Sequence, residues 1–437
     1  MRRQRQITEV QSKRSARSIA VLIRRYVGLV MAGFLLLAGL TGAIIVWNDE
    51  LDAAINPTLF HASVPTPGAT MLDVFTLRER ALAQLPNVEI DYVRLEQAPG
   101  ENAIFGVAGA IDPATNEHRS LDFDEIFINP YTGDVVGRRT WGDISEGVTN
   151  LIPFIYTFHY TLALDIVGTY LFGIIGLLWT IDCFVGAWLT FPRRSSKHPT
   201  RPTSTRWFSR WAPAWRVRWG ASAPKLNFDL HVAGSLWPWA MLFVFAWSSV
   251  AFNLDEVYRP AMASFFEFQT YPERSVNPDD TSAPMSWPAA IARGHELAAE
   301  LAAKRGVTLG APYDIYYDHD GHLFSYGVRS DLDISADYNS IEVIFDATTG
   351  AYFGEYLSVG GAAGDTVTEW LLSLHMAAVW GLPYRIFVTL LGILVAVVST
   401  TGVLIWWRKR RARTSASARR SRKSPLPAPA SESGSRS

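Results

Sequence analysis

Four apolar runs, approximately Tyr26–Trp47, Val167–Phe191, His231–Phe252 and Pro383–Trp407, govern what this chain can become. Each has about the 20 residues needed to cross some 30 Å of hydrocarbon. One such run can be a buried core helix. Four, each set against a sharp charge boundary, make a multi-pass membrane protein. Charge then sets the orientation. The tails 1–25 and 408–437 and the loop 192–230 hold 27 of the 40 Lys and Arg and only three acids, whereas the long segments 48–152 and 253–370 hold 36 acids and 12 bases. The positive-inside rule places both termini and the short loop in the cytoplasm and both long segments on the other side. The first run lacks an A-x-A site and is followed by WNDELD, so it reads as an uncleaved anchor. Basic tails beside membrane spans suit the lipid bilayer rather than nucleic acid. The C-terminal SPLPAPASESGSRS is low-complexity and reads as disordered. Cys183 is the only cysteine, which excludes a disulfide framework and an iron–sulfur cluster.

The chain repeats itself. NPYTGDVVG (Asn129–Gly137) and DATTGAYFG (Asp346–Gly354) share the pattern x-x-x-T-G-x-x-x-G, 217 residues apart. Asp or Asn, then Thr and Gly, suits a tight turn, and the apolar runs DEIFI and IEVIF before it suit strands. Each long segment opens with a helical pattern, MLDVFTLRERALAQL or WPAAIARGHELAAELAAKRG. Strand-like runs follow: VEIDYVRLE and NAIFGVAGAI in the first, APYDIYYDHDG and HLFSYGVRS in the second. Each segment is therefore expected to be a small α+β domain. The spans repeat as well. A shift of 216 residues puts His159 on His375, Gly176 on Gly392 and Gly186 on Gly402; a shift of 207 puts Thr41-Gly42 on Ser248-Ser249. The unit is span, α+β domain, span, used twice.

His159, His231 and His375 stand at span edges. By topology His159 and His375 occupy the same place in the two halves, where a pseudo-two-fold axis brings them face to face. A buried imidazole pair in a membrane is costly without a ligand, and iron in a porphyrin resolves that cost. Two imidazoles fill both axial positions and favour electron transfer over oxygen binding. Gly173, Gly176, Gly392 and Gly402 give a flat macrocycle or a neighbouring helix room, and Phe158, Tyr160, Trp370 and Trp380 are aromatics able to pack on it. The plain alternative is interfacial histidines among belt aromatics, with the glycines serving helix packing. His231 opens the third span on the cytoplasmic side, and Arg24 stands at the matching place in the first. Arginine is no axial ligand, so that inner site is half-built. Asp182, inside the second span, is open to a proton-handling role, a structural hydrogen bond or an arginine partner. Asp318-His319-Asp320-Gly321-His322 reads as a hairpin turn in preference to a metal site.

The ordered set of these segments resembles the PepSY-associated transmembrane family of iron-regulated bacterial inner-membrane proteins. Within it the chain is similar to the siderophore-iron reductases. The resemblance is carried by GLVMAGFLLLAGLTGAIIVWNDELD, INPYTGDVVG, FHYTLAL, DLHVAGSLW, VIFDATTGAYFG and LLSLHMAAVWGLPYRIFVTLLG, and covers about residues 20–410. It implies a four-transmembrane-helix bundle with two periplasmic PepSY-like α+β domains and an internal duplication. The expected order is a basic tail (1–25), TM1 (26–47), PepSY-like domain 1 (48–152), a His segment with TM2 (153–191) and a basic loop (192–230). TM3 (231–252), PepSY-like domain 2 (253–368), a second His segment with TM4 (369–407) and a basic tail (408–437) follow. The resemblance further implies haem b held by His159, His375 and His231, which match family histidines, and one-electron reduction of a ferric chelate or siderophore on the periplasmic side. Electrons would come from a quinol or a cytoplasmic donor. The family commonly has a histidine where this chain has Arg24, which leaves one haem or two open. The competing readings are a non-enzymatic PepSY scaffold for an envelope protein and an iron or siderophore permease component.

Overall fold

A computed structural model of the chain describes residues 16–112, 117–192, 204–274 and 282–421. The outermost N-terminal residues, the start of the basic loop with His198 and the SPLPAPASESGSRS tail lie outside them. Packing divides the chain into two compact units. One takes Met1–Leu36, Ile181–Trp239 and Leu394–Ser437; the other takes Leu37–Thr180 and Ala240–Ile393.

Helix α1 (Ala16–Ile45) carries the first apolar run and begins well before it. In the first long segment, α2 (Val74–Gln84) starts at Asp73, whose carboxylate accepts hydrogen bonds from the Phe75 and Thr76 backbone N–H groups. Such a cap is worth about 1 kcal/mol. The helix buries Val74, Leu77 and Ala81. The run VEIDYVRLE does not form one strand. It splits into β1 (Val88–Glu89), paired with Ala108–Gly109, and β2 (Tyr92–Arg94). Strands β3 (Ala103–Gly106), β4 (Glu125–Ile128) and β5 (Val135–Arg139) make an antiparallel sheet in the order β3-β4-β5. Between the two long segments lie α3 (Leu151–Thr161), α4 (Asp165–Thr190), α5 (Ala223–Leu236) and α6 (Trp239–Asn253).

The second long segment begins with α7 (Trp287–Arg305), closed by Gly306 at φ 70°, a left-handed position that glycine takes without strain. Strands β6 (Leu309–Asp318), β7 (Leu323–Ser330), β8 (Ile341–Asp346) and β9 (Tyr352–Leu357) form successive antiparallel hairpins. The repeated turn has one geometry in both copies. Asn129 Oδ1 accepts from the N–H groups of Tyr131 and Thr132, and Asp346 Oδ1 from those of Thr348 and Thr349. Gly133 and Gly350 follow at φ 72° and 69°. The last helices are α8 (Ala363–His375) and α9 (Gly381–Ser421).

The two long segments do not build wholly separate sheets. Strand β2 of the first adds to the edge of the second, giving the order β9-β8-β7-β6-β2. Its register sets Tyr92 against Tyr316 and Arg94 against Asp314. One apolar core joins Leu77, Ile90, Val93 and Ile126 to Leu297, Ile315, Phe324 and Val343. The addition covers an edge of β6 that an isolated domain would leave open. It also sets Tyr92 Oη 3.0 Å from Asp314 Oδ2, to which it donates. Burial, partly offset by this bond, pushes the Asp314 carboxyl up to about 6. A carboxyl raised in the folded state binds its proton more tightly there than when unfolded. Its contribution to stability is therefore lost as pH rises from about 4 to about 6. Asp314→Asn is expected to flatten the stability profile across that window and to stabilise the protein at pH 7 by about 2 kcal/mol, read from denaturation midpoints at pH 4 and pH 7.

Helices α1, α4 and α9 are long and apolar enough to cross a membrane; α5 and α6 make a fourth span if the pair counts as one. The third span is therefore not the single run the sequence suggests. Trp237 and Pro238 interrupt it, because Pro238 has no N–H for the helical ladder. Helix α9 also runs past Trp407 to Ser421, into the basic tail.

Candidate functional site

His159 lies in the last turn of α3, and His375 is the last residue of α8. Each helix then stops, and the chain turns back into a long apolar helix through left-handed residues: Leu162, Ala163 and Asp165 after the first, Ala377, Trp380 and Gly381 after the second. Only one other non-glycine residue among those described has positive φ, namely His322. Backbone held in so unfavourable a region persists where the surroundings demand it. The strain sits beside the two histidines and nowhere else along the spans.

The two imidazoles meet. Their ring centroids are 6.5 Å apart and their planes stand at 80°. Both rings are half-buried, not sealed against each other. Each Nδ1 has a hydroxyl partner: Thr41 Oγ1 at 2.9 Å from His159 and Ser248 Oγ at 2.5 Å from His375. Those hydroxyls already donate their own protons to the helix, Thr41 to the Leu37 carbonyl and Ser248 to that of Val244. An Nδ1–H donating to each hydroxyl is the tautomer that suits this arrangement, and in it each Nε2 keeps its lone pair. The donor set fits a bis-imidazole metal.

The supporting shell is repeated too. Thr41 and Ser248 are the residues the 207-residue shift superposes. A Cβ on Gly42 would lie 3.0 Å from His159 Cε1, so this glycine gives the ring its place. Gly176 faces Ala246 and Ser249 on α6, and Gly392 faces Gly39 and Ala43 on α1. These two glycines serve helix packing and not a macrocycle face. The aromatics against His375 are Phe245 and Phe252, with centroids at 5.0 and 5.4 Å. Trp370 and Trp380 pack on each other, 6.3 Å apart. Phe245 and Phe252 lie among other apolar residues of α6, so periodicity had no reason to select them.

His231 is not brought to that pair. It sits in the other compact unit, where Nδ1 donates to the Val398 carbonyl at 3.0 Å and lies 3.3 Å from Thr401 Oγ1. Its ring packs on Gly402, whose added Cβ would meet His231 Cε1 at 3.1 Å. In the same unit Arg24 packs on Gly186, the residue matching Gly402, with its Nη2 2.7 Å from an added Cβ. Arg24 Nε donates to Asp182 Oδ1 at 2.8 Å and Nη2 to Oδ2 at 3.1 Å. Of the roles open to Asp182, the structure supplies the arginine partner. The inner position thus holds a guanidinium–carboxylate fork where a second imidazole would stand. The hairpin turn at Asp318–His322 is as expected, and His322 is a structural residue there. Its Nδ1 bonds Tyr317 Oη at 2.9 Å and its Nε2 bonds Thr348 Oγ1 at 2.8 Å.

Comparison with known proteins agrees with the membrane plan. A family model described as the PepSY-associated TM region matches residues 25–409. No curated protein gives a significant match.

Proposed function

Because the chain belongs to the PepSY-associated TM region family, we propose that it is a haem-bearing electron-transfer protein of the bacterial inner membrane that reduces a ferric chelate, such as a ferric siderophore, on the periplasmic side. The carrying observation is the His159–His375 pair, two rings 6.5 Å apart with a hydroxyl at each Nδ1, which leaves the Nε2 atoms as the candidate ligands for one iron. Haem b bound there supplies a one-electron couple between iron(III) and iron(II). The chain's own residues do the rest. Thr41 and Ser248 hold the rings in one tautomer, Gly42 admits the His159 ring, and Phe245 and Phe252 keep the His375 side apolar. His159 and His375 would hold the haem through two imidazoles, a ligand set that favours electron transfer over oxygen binding. The acceptor's iron(III) is held tightly by oxygen donors. Iron(II) has lower charge and is held more weakly by the same donors, so one electron releases it. A quinol or a cytoplasmic donor supplies the electron. In this reading both termini are cytoplasmic and both long segments periplasmic, as the charge distribution requires.

Arg24 and its bond to Asp182 favour one haem per chain. The purified protein is expected to show sharp low-spin bands on reduction, with one haem per chain, and oxidation of those bands on adding a ferric chelate. A colourless, folded preparation would leave the scaffold reading in place. The broken third span gives the permease reading one observation of its own, since interrupted helices mark transport sites. Uptake of chelated iron into vesicles without any haem band would decide for that reading.

The hydroxyls provide a graded test. Thr41→Val with Ser248→Ala removes both Nδ1–H acceptors while keeping the ligands. The imidazoles become poorer donors to iron(III), so the reduction potential should rise and haem retention fall by about tenfold or more. A redox titration of both forms checks the direction.

A further inference from the structure

The sheet addition brings together three side chains that no stretch of the sequence places near one another. Glu89 ends β1, Asp91 precedes β2, and His319 lies in the turn between β6 and β7. The backbone pairing continues beyond β2: the Tyr317 N–H donates to the Asp91 carbonyl at 2.9 Å, which carries the following turn over the two carboxylates. His319 Nε2 is 3.0 Å from Asp91 Oδ1 and 3.9 Å from Glu89 Oε2, and the three donor atoms all lie within 4.8 Å of one another. Ligands at about 2.1 Å around an octahedral ion stand about 3.0 Å apart when adjacent and about 4.2 Å apart when opposite, which brackets both distances. Glu89 is fixed by the Ile111 N–H, which donates to its Oε1 at 3.2 Å. Its other oxygen, Oε2, is buried without a hydrogen-bond partner among the described residues. A buried carboxylate oxygen left so is costly, and a cation would satisfy it. Arg78 does not neutralise it through a hydrogen bond, since its Nε donates to the Ile90 carbonyl. Beside the cluster opens a cleft of about 420 Å³ lined by Glu89, Asp91, Tyr92, Asp124, Glu125 and Trp141, a route for a hydrated cation.

We propose that Glu89, Asp91 and His319 form a divalent-cation site for a first-row transition ion, formed only when the two long segments share their sheet. Two carboxylates and one imidazole suit Mn²⁺, Fe²⁺ or Zn²⁺, and the remaining positions are left to water. On binding, His319 Nε2 releases to water the proton it shares with Asp91 and becomes a ligand beside Glu89 Oε2, and Asp91 Oδ1 exchanges its bond with His319 for one to the metal. The site is independent of the haem reading.

The test is calorimetric titration of Zn²⁺ into the full-length, chelator-treated protein in detergent, with wild type, His319→Ala, Glu89→Gln, Asp91→Asn and His295→Ala. His295 is exposed on α7 and serves as a control for surface histidines. One equivalent should bind to wild type and to His295→Ala, with affinity at least tenfold weaker in each of the other three. Glu89→Gln and Asp91→Asn preserve shape, so they report even if His319→Ala loosens the turn. No binding to wild type, or wild-type affinity retained in His319→Ala and Glu89→Gln, overturns the site and leaves an imidazole–carboxylate contact in its place.

Discussion

Replacing His375 with Ala is expected to abolish the sharp low-spin haem bands and to cut the haem retained through purification at least about tenfold. His159→Ala should do the same, and His231→Ala should not. The expectation follows from symmetry of role. The two rings lie 6.5 Å apart, each with a hydroxyl at its Nδ1. If haem is held by both, as proposed, loss of either would leave it a single imidazole, so both retention and spectrum would change. His231 belongs to a different compact unit and bonds the Val398 carbonyl, so its removal leaves the pair untouched. Added imidazole should restore part of the low-spin signal in the His375→Ala protein, because the space vacated is the size of that ring. Survival of the original bands in His375→Ala would falsify the pairing.

The pair was legible in the sequence because the repeat is ungapped around it. A 216-residue shift superposes the histidines without any structural information, and an even shorter inference superposes Thr41 on Ser248. What the sequence withheld was the chemistry of that second match. A threonine and a serine within apolar spans are routine helix residues, and only the fold shows that each meets the Nδ1 of a histidine. Arg24 and Asp182 were each conspicuous as charges in spans, yet 158 residues separate them and no pattern links them. Pro238 announces the interruption of the third span by its missing N–H, but a run of apolar residues on both sides conceals it from a hydropathy reading. The hardest feature to foresee was β2. Three residues pair with a strand more than two hundred residues away, an arrangement set by edge protection and a shared core and not by any local propensity. Everything that depends on it, including the neighbourhood of His319, is hidden from the sequence for the same reason.

The second large effect is expected at Arg139, which is tied through the fold to the helix that carries His159. Its side chain is 3% exposed, and it bonds Asp52 Oδ2 at 2.9 Å, Glu125 Oε2 at 2.6 Å and the Thr149 carbonyl at 3.2 Å. Asp52 belongs to the helix Asn48–Ile55 that follows α1, Glu125 to β4, and Thr149 lies just before α3. Asn56 adds a bond from its Nδ2 to the same Thr149 carbonyl at 2.9 Å. One guanidinium thus holds the exit of the first span, the β3-β4-β5 sheet and the approach to His159. Arg139→Met keeps much of the volume and removes the charge, leaving two buried carboxylates facing each other. Breaking a buried pair in this way costs about 3–5 kcal/mol. Burial already raises the Glu125 carboxyl even with the guanidinium beside it. Without Arg139 the folded state should bind protons at this cluster more tightly than the unfolded chain, so stability falls further as pH rises. The deficit should therefore be smaller at pH 5 than at pH 8, and Asp52→Asn with Glu125→Gln in the Arg139→Met background should recover part of it. Thermal or denaturant midpoints at the two pH values, with the haem band followed in the same samples, give both readings. A deficit below about 1 kcal/mol at pH 8 would mean that water reaches these carboxylates and that the α3 end carrying His159 is anchored by apolar packing instead.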